Sequence, residues 1–373
     1  MTENHGGTWF QRYLLPGLAF KAAVIGGGYA TGRELAEFFL PSGPQGGVLA
    51  ILLAMVFWSV VCTATFALAQ KTRSFDYRSF FQELLGPAWF VFEIAYVLFS
   101  ILVLAVFGAA AGSIGEALFG WPQLAGTLVL IVAICAVAAY GNVSVERLFK
   151  WVSFFLYGVY FLFVIFAFGA FGSRITGHLA TWAPMQGWVS GGLTYASYNV
   201  VGAVIVLPVL RHMRSTRDAI TAGALSGPLA MIPALLFFLC MIAYYPEISA
   251  EKLPSDFLLR KLNFPAFHFL FQAMIFLALL ESGTGFVHAI NERVAWVYAN
   301  RTRRPLAAGF RLVITGVVLI FSIFLAQRYG LVTLIGEGYR ALAYVILAIF
   351  VLPVMTLGLR RLFRQAAAPT LDP

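Results

Sequence analysis

The sequence has few charged residues for its length. Charged residues make up 11% of the 373 residues, whereas hydrophobic residues make up 61%. Apolar runs of about 20 residues, the length that crosses a bilayer, recur along the whole chain. No soluble domain of useful size fits between these runs. The composition therefore predicts an all-α polytopic membrane protein and excludes a water-soluble enzyme.

Several chemical signals are also missing. The three cysteines all fall inside apolar segments, so no disulfide is expected: Cys62, Cys135 and Cys240. No Cys/His cluster with metal-ligand spacing and no Walker-type phosphate loop occurs, so neither a metal nor another cofactor is predicted. No nucleophile–base pair points to an intramembrane enzyme. The first residues lack the basic region and the cleavage site of a signal peptide.

The hydrophobic runs predict ten membrane spans. The expected spans are roughly 13–40, 46–70, 87–114, 122–141, 149–172, 187–213, 218–245, 264–298, 306–327 and 331–358. Loops on the side of the N-terminus hold roughly three times as many Lys and Arg as the opposite loops, which predicts that both termini are cytoplasmic. The net charge of +9 therefore reflects membrane topology and does not indicate binding to nucleic acid.

The spans divide into two halves of five within a single membrane domain, 1–373. An odd number of spans in each half forces the halves, 11–172 and 187–359, to be inverted relative to each other. The first span of each half carries an interruption, at Gly26–Gly32 and at Gly191–Gly202. Interrupted helices at corresponding positions of inverted repeats point to the binding site of a transporter.

These features resemble a known fold. Inverted halves of five spans, interrupted spans 1 and 6, an amphipathic helix at 74–85 and a helical loop at 248–262 resemble the LeuT-like fold of the amino acid–polyamine–organocation superfamily. The stretch GGGYATGRE at 26–34 is similar to that of the YkvI-like membrane proteins, and spore-germinant permease subunits are a more distant likeness. The resemblance implies a transporter with discontinuous helices 1 and 6.

The two interruptions are predicted to form facing walls of a substrate site. Thr31 and Glu34 have capping-box spacing, so Thr31 is expected to start the second half-helix. The resemblance implies that span 1 wraps the polar head of the substrate, with the half-helix end favouring a carboxylate. Glycine-mediated helix packing and interhelical hydrogen bonding without a ligand are the alternatives. The predicted substrate-binding residues are Gly26, Gly27, Gly28, Tyr29, Ala30, Thr31, Gly32, Tyr195, Ser197, Tyr198 and Asn199.

Span 8 carries a polar stripe on one helix face, made of Glu281, Thr284, His288 and Asn291. In the resembling fold, sodium-coupled members place two hydroxyl residues where Glu281 and Ser282 align, so Glu281 departs from the sodium-site pattern. We expect Lys21 to lie close to Glu281, either as an ion pair that replaces sodium or as a proton-binding pair. Alternatively, Lys21 reaches the cytoplasmic surface and Glu281 is only hydrogen-bonded. The predicted ion-coupling residues are Lys21, Glu281, Ser282 and Thr284.

Arg33 and Glu337 form a second candidate pair. Arg33 follows the first interruption and Glu337 lies in span 10. The resembling fold often carries an arginine and an acid at these places as an external gate, so this pair is the predicted gate. The alternative is local pairing, of Arg33 with Glu37 and of Glu337 with Arg340.

Together these features predict a secondary transporter in the cytoplasmic membrane. It is expected to move a small organic solute, an amino acid or a related zwitterion, by alternating access, with H⁺ or Na⁺ as the coupling ion. The alternative is a receptor-like permease subunit that senses a ligand without net transport. The expected partners are a small-molecule substrate and the lipid bilayer. The substrate, the direction of transport and the oligomeric state do not follow from the sequence.

Overall fold

Helices account for every regular element that the structure describes. The structure is a computed structural model that describes residues 8–24, 27–139, 142–181, 184–304 and 306–366, and no strand occurs within these ranges. Six stretches in this part of the chain are long and apolar enough to cross a membrane: Arg33–Thr72, Tyr77–Phe119, Phe155–Ala180, Thr216–Ile242, Pro265–Thr302 and Gly309–Phe363. The all-α membrane class is therefore confirmed. The count of ten spans, the inverted repeat and the domain boundaries stay predictions.

The first half of the chain begins with short helical pieces and continues with long helices. Its helices are α1 (Leu15–Val24), α2 (Gly27–Ala30), α3 (Arg33–Phe38), α4 (Gly43–Thr72), α5 (Tyr77–Leu85), α6 (Phe90–Phe119), α7 (Gln123–Ala139) and α8 (Asn142–Ala180). The expected amphipathic helix is α5. It begins after Asp76, whose side chain accepts hydrogen bonds from the N–H groups of Arg78 and Ser79 and so caps the first turn.

The second half repeats the mixture of short and long helices. Its helices are α9 (Trp188–Asn199), α10 (Gly202–Ile205), α11 (Thr216–Ile242), α12 (Pro254–Leu262), α13 (Pro265–Thr302), α14 (Ala308–Thr333), α15 (Arg340–Ile346) and α16 (Leu359–Ala366). Gly330 has φ 70° and kinks α14 between predicted spans 9 and 10. A π-helical turn, Leu334–Tyr339, leads into α15. Such wide turns are frequent at functional sites.

Glycine allows α4 and α11 to approach closely along their lengths. A Cβ atom on Gly223 would overlap the backbone of Thr63, and one on Gly227 would overlap the carbonyl oxygen of Met55. Small residues permit such backbone approach between helices in lipid, where packing replaces the hydrophobic effect as the driving force. The α4–α11 pair also holds α1, which packs on α11, and so supports one side of the interrupted first helix.

We predict that Gly227→Ala destabilises the protein, because the new methyl group must push α4 away from α11. Overpacking of this kind costs about 1–3 kcal/mol. Thermal unfolding of the purified protein in detergent measures the effect. Gly158→Ala in α8 is the matched control, since no atom lies within 4 Å of the position that a Cβ atom would take there. Equal unfolding temperatures for the two variants would contradict the close approach.

Candidate functional site

The first interruption depends on the left-handed backbone of Gly32. Its φ of 77° ends the helical path after Ala30, and α3 begins at the next residue, Arg33. A Cβ atom on Gly32 would also meet Cε1 of Phe237 at 2.6 Å, so glycine is required for both space and conformation. Gly32, and not Thr31 as expected, is therefore the residue that precedes α3. The Thr31 hydroxyl accepts a hydrogen bond from the N–H of Arg33 (3.3 Å).

The second interruption is shorter than the sequence suggested. α9 continues through Gly191 and Gly192 to Asn199, and only Val200 and Val201 separate it from α10. The two glycines serve close packing: a Cβ atom on Gly191 would overlap the carbonyl oxygen of Phe38, and one on Gly192 would lie 2.7 Å from that of Ala50. The expected interruption over Gly191–Gly202 is thus confined to the end of that stretch, because the glycines let α9 approach α3 and α4.

A buried hydrogen bond joins the two interrupted helices. The Tyr198 hydroxyl on α9 donates to Oε2 of Glu34 on α3 over 2.7 Å. Glu34 is 5% exposed and Tyr198 is 1% exposed. The side chain of Asn199 lies beside the same carboxyl group, and its Nδ2 also donates to the carbonyl of Tyr195 (3.2 Å). Glu34 therefore has this role in place of the capping contact that its spacing from Thr31 predicted.

Three tyrosines lie close to this carboxyl group. Tyr195, Tyr198 and Tyr339 all lie close enough to Glu34 to interact with it electrostatically. The Tyr198 and Tyr339 ring centroids are 4.6 Å apart, so α9 meets the wide turn before α15 at the site. Phe39 lies against Tyr195 at 4.8 Å. The site thus combines one buried carboxyl group with several buried tyrosine side chains.

Two tyrosine hydroxyl groups at the site are buried without a hydrogen-bond partner in the described ranges. They belong to Tyr29, on α2, and Tyr195, on α9. The Tyr160 hydroxyl lies near Tyr29 and donates to the carbonyl of Pro233 (2.6 Å). Because buried polar groups in proteins are almost always paired, these two hydroxyls mark positions where a polar solute can bind.

Arg33 connects the start of α3 to the loop before α12. Its Nη1 donates to the carbonyl oxygens of Ser249 (3.1 Å) and Glu251 (2.9 Å), and its Nη2 lies 2.6 Å from Oε2 of Glu37. The carbonyl of Thr31 accepts from the N–H of Ser255 (3.0 Å) in the first turn of α12. The loop and the first turn of α12 therefore satisfy backbone and side-chain groups that the interruption leaves without helical partners.

Arg33 and Glu337, the predicted gate pair, do not form an ion pair with each other in this structure. Arg33 takes Glu37, the local alternative, as its carboxylate partner, while Glu337 is exposed. A Cβ atom on Gly336 would lie 2.9 Å from Oε1 of Glu37, so the turn that carries Glu337 packs on this ion pair. The gate function of Arg33 and Glu337 stays a prediction.

A second polar region lies on the other side of the first interruption. The Lys21 Nζ is 4.0 Å from the centroid of the Tyr157 ring on α8, a cation–π contact. Glu281, on α13, is close enough to Tyr157 to interact with it electrostatically. Lys21, Tyr29 and Tyr157 line a cavity of about 210 Å³ between α1, α8 and α11. Lys21 and Glu281 thus have Tyr157 as a common neighbour.

The remaining predicted residues have local contacts. The Ser197 hydroxyl donates to the carbonyl of Leu193 (2.6 Å), and the Thr284 hydroxyl donates to that of Leu280 (2.8 Å). Each hydroxyl keeps its oxygen lone pairs for a ligand. Ser282 is half-buried on α13, which packs against α2. Gly26 lies outside the described residues, and nothing further is assigned to Gly27, Gly28 and Ala30 beyond their places in α2.

The sequence did not single out Glu34, Tyr339 and Tyr157 as site residues. Glu34 had a signal that could have found it, because an acid directly after a glycine interruption in an apolar run needs a partner or a proton. Tyr339 and Tyr157 had none, since each belongs to a span whose position against α9 or α1 is set only by the tertiary packing.

Three solved structures that resemble this chain are transporters and not enzymes. The chain superposes on MhsT in complex with L-phenylalanine with a TM-score of 0.58 and 16% identity, covering 94% of this chain and 88% of that one. For a substrate-bound Na⁺-coupled sialic acid symporter, the TM-score is 0.60 and the identity is 12%, covering 91% of this chain and 78% of the symporter. For a manganese transporter of Eremococcus coleocola, the TM-score is 0.54 and the identity is 16%, covering 93% of this chain and 78% of the transporter. The chain therefore has the LeuT fold.

One curated relative has a similar sequence over most of its length. It is the uncharacterized membrane protein YkvI of Bacillus subtilis (strain 168), which is 22% identical over 333 residues, or 88% of this chain and 91% of the relative. The expected similarity to the YkvI-like proteins is therefore confirmed. No protein-family model matches the chain.

We predict that Arg33→Lys loosens the loop before α12, because a lysine cannot reproduce the forked contacts of the guanidinium. Charge-assisted hydrogen bonds contribute about 1.5–3 kcal/mol each, so the unfolding temperature should fall and amide exchange around Ser255 should accelerate. Hydrogen exchange followed by mass spectrometry measures the second effect. Arg301→Lys, at an exposed position, is the control. Unchanged amide hydrogen exchange in Arg33→Lys would show that the hydrogen bonds of Arg33 do not hold the loop.

Proposed function

We propose that this protein is a secondary active transporter that moves a small organic solute by alternating access. The observation that carries this proposal is the buried junction of the two interrupted helices, where Tyr198 donates to Glu34 beside the partnerless hydroxyls of Tyr29 and Tyr195. Polar groups and irregular backbone inside a membrane protein are tolerated where they are buried in protein or line a cavity. Such a junction is the usual place of a transporter's substrate site.

The similar structures support the chemical class of the solute. MhsT is described in complex with L-phenylalanine, and the symporter with sialic acid, and each of these solutes carries a carboxylate. An amino acid or a related zwitterion is accordingly the proposed substrate of this chain. The faces of Tyr195 and Phe39 supply an apolar wall for its side chain, and the hydroxyl groups supply orientation.

The proposed coupling region is the pair Lys21 and Glu281, with Ser282 and Thr284 on the same part of α13. Both charged side chains adjoin Tyr157, which supports a direct or tyrosine-mediated interaction between them. A cation beside this acid can take the place of a bound sodium ion, or a proton can move onto the acid during transport. The ion that couples to transport is H⁺ or Na⁺, and the basic side chain of Lys21 favours H⁺.

The proposed gate lies on the side of the α12 loop. Arg33 holds this loop through Ser249 and Glu251 and is paired with Glu37. Access to the site from that side requires these contacts to change. An exchange of carboxylate partner from Glu37 to Glu337, on the adjoining turn, would provide a second state for the guanidinium.

We expect reconstituted protein to take up solute in a saturable manner that depends on an ion gradient. A thermal-shift screen of the purified protein against amino acids, amines and nucleobases, with and without sodium, selects the solute. Uptake into proteoliposomes is then measured with a proton or a sodium gradient and after its collapse. Liposomes without protein are the control. Binding without flux would instead favour the sensing function of a permease-like receptor subunit.

We further predict that Glu281→Gln reduces gradient-driven uptake by about tenfold or more, equivalent to about 1.4 kcal/mol, because the coupling charge is lost. Counterflow exchange at equal ion concentrations should be reduced less, since it needs no net ion movement. Glu292→Gln is the matched control on the same helix, where the exposed Glu292 pairs with Arg311. Unchanged pH and sodium dependence in Glu281→Gln would remove Glu281 from the coupling mechanism.

A further inference from the structure

Glu34 is a buried acid whose charge the described basic residues do not balance. Within the described ranges, no Arg, Lys or His side chain forms an ion pair with its carboxyl group. Its neighbour Arg33 is turned toward Glu37 and the loop carbonyls, and Lys21 lies over Tyr157. Its described hydrogen-bonding neighbours are Tyr198 and Asn199, both of which are neutral. A buried carboxylate in this position requires a cation or a proton.

The surroundings of Glu34 have the chemistry that binds an organic ammonium group. Tyr195, Tyr198 and Tyr339 contact one another and lie within electrostatic range of Glu34, and aromatic rings attract ammonium ions. The unpaired hydroxyl oxygens of Tyr29 and Tyr195 can accept N–H hydrogen bonds. A carboxylate anchor, ring faces and hydroxyl acceptors together match an ammonium ion in charge and in hydrogen bonding.

The same geometry disfavours recognition of a substrate carboxylate at this place. The expected carboxylate position is the start of the second half-helix, but Glu34 occupies the first turn of α3 with a carboxyl group of its own. Two carboxylates so close to each other repel in a buried space. α3 is also only 6 residues long, too short to supply a strong positive end.

We propose that Glu34 anchors the ammonium group of the solute, and that the protein recognises organic amines for which a carboxylate is not required. This inference rests on the proposed transport function and specifies the chemistry of the same site. The ammonium group lies among the rings of Tyr195, Tyr198 and Tyr339 and donates to Glu34. The rest of the solute is held by apolar contacts.

The test compares solutes that share one side chain but differ in their charged groups. Isothermal titration calorimetry of the wild-type protein at one pH uses phenylalanine, phenethylamine and 3-phenylpropionate, and the corresponding sets derived from leucine and tyrosine. In at least one set, the amine should bind at least as tightly as the amino acid, and the deaminated acid should not bind. Binding of the acid in preference to the amine, or of no amine at all, overturns the inference.

The variant Glu34→Gln tests whether the carboxylate of Glu34 is responsible for binding the amine. Glu34→Gln keeps the size of the side chain and an acceptor for Tyr198, and it should raise the Kd of the amine by about tenfold or more. Glu83→Gln, at an exposed position on α5, is the control and should leave the Kd unchanged. An unchanged Kd in a folded Glu34→Gln variant overturns the inference, even if its pH dependence of transport is lost. The comparison of solutes on the wild-type protein decides the question if this variant does not fold.

The experiments distinguish a failure of the inference about Glu34 from a failure of the transport proposal. Amines that bind but do not cross the membrane of proteoliposomes would contradict transport and leave the function of Glu34 intact. Solutes that are transported but bind equally well to Glu34→Gln would contradict the function of Glu34 and leave transport intact.

Discussion

A carboxyl group buried where two interrupted helices meet is the constraint on which the rest of the site depends. Glu34 can be kept there only because α9 brings the Tyr198 hydroxyl to 2.7 Å and the Asn199 amide beside it. That requires α9 to lie against α3, and Gly191 permits this close approach. The turn before α15 then completes the ring wall with Tyr339. The packing of three helices is thus organised around one acid.

The interruption of the first helix leaves backbone groups that also need hydrogen-bond partners. Freed carbonyl and N–H groups inside a bundle of apolar helices need partners, because no bulk water reaches them. The first turn of α12 supplies one such partner, because the N–H of Ser255 donates to the carbonyl of Thr31. Arg33 adds a side-chain tie to the loop before α12. The candidate site and this region are therefore joined by hydrogen bonds on both sides of Gly32.

The two polar regions on either side of α2 have different chemistry. Around Glu34 the groups are an acid, tyrosine hydroxyls and ring faces, which suit a solute. Around Tyr157 they are Lys21 and Glu281, whose opposite charges suit an exchange of protons or ions. Tyr29 lines the cavity beside Lys21 and also lies within electrostatic range of Glu34. Tyr29 therefore adjoins both regions.

The sequence by itself determined the helical class, most helix positions and the interruption at Gly32, because apolar run length and glycine are local properties. It also predicted Tyr29, Tyr195, Tyr198 and Asn199 as candidate site residues, since polar groups in apolar helices are conspicuous. Only the tertiary structure decided that Gly191 and Gly192 pack rather than interrupt, that Glu37 pairs with Arg33, and that Glu34 meets Tyr198. These outcomes depend on which helices lie side by side, and contacts between residues as far apart in sequence as Glu34 and Tyr198 leave no trace in local spacing.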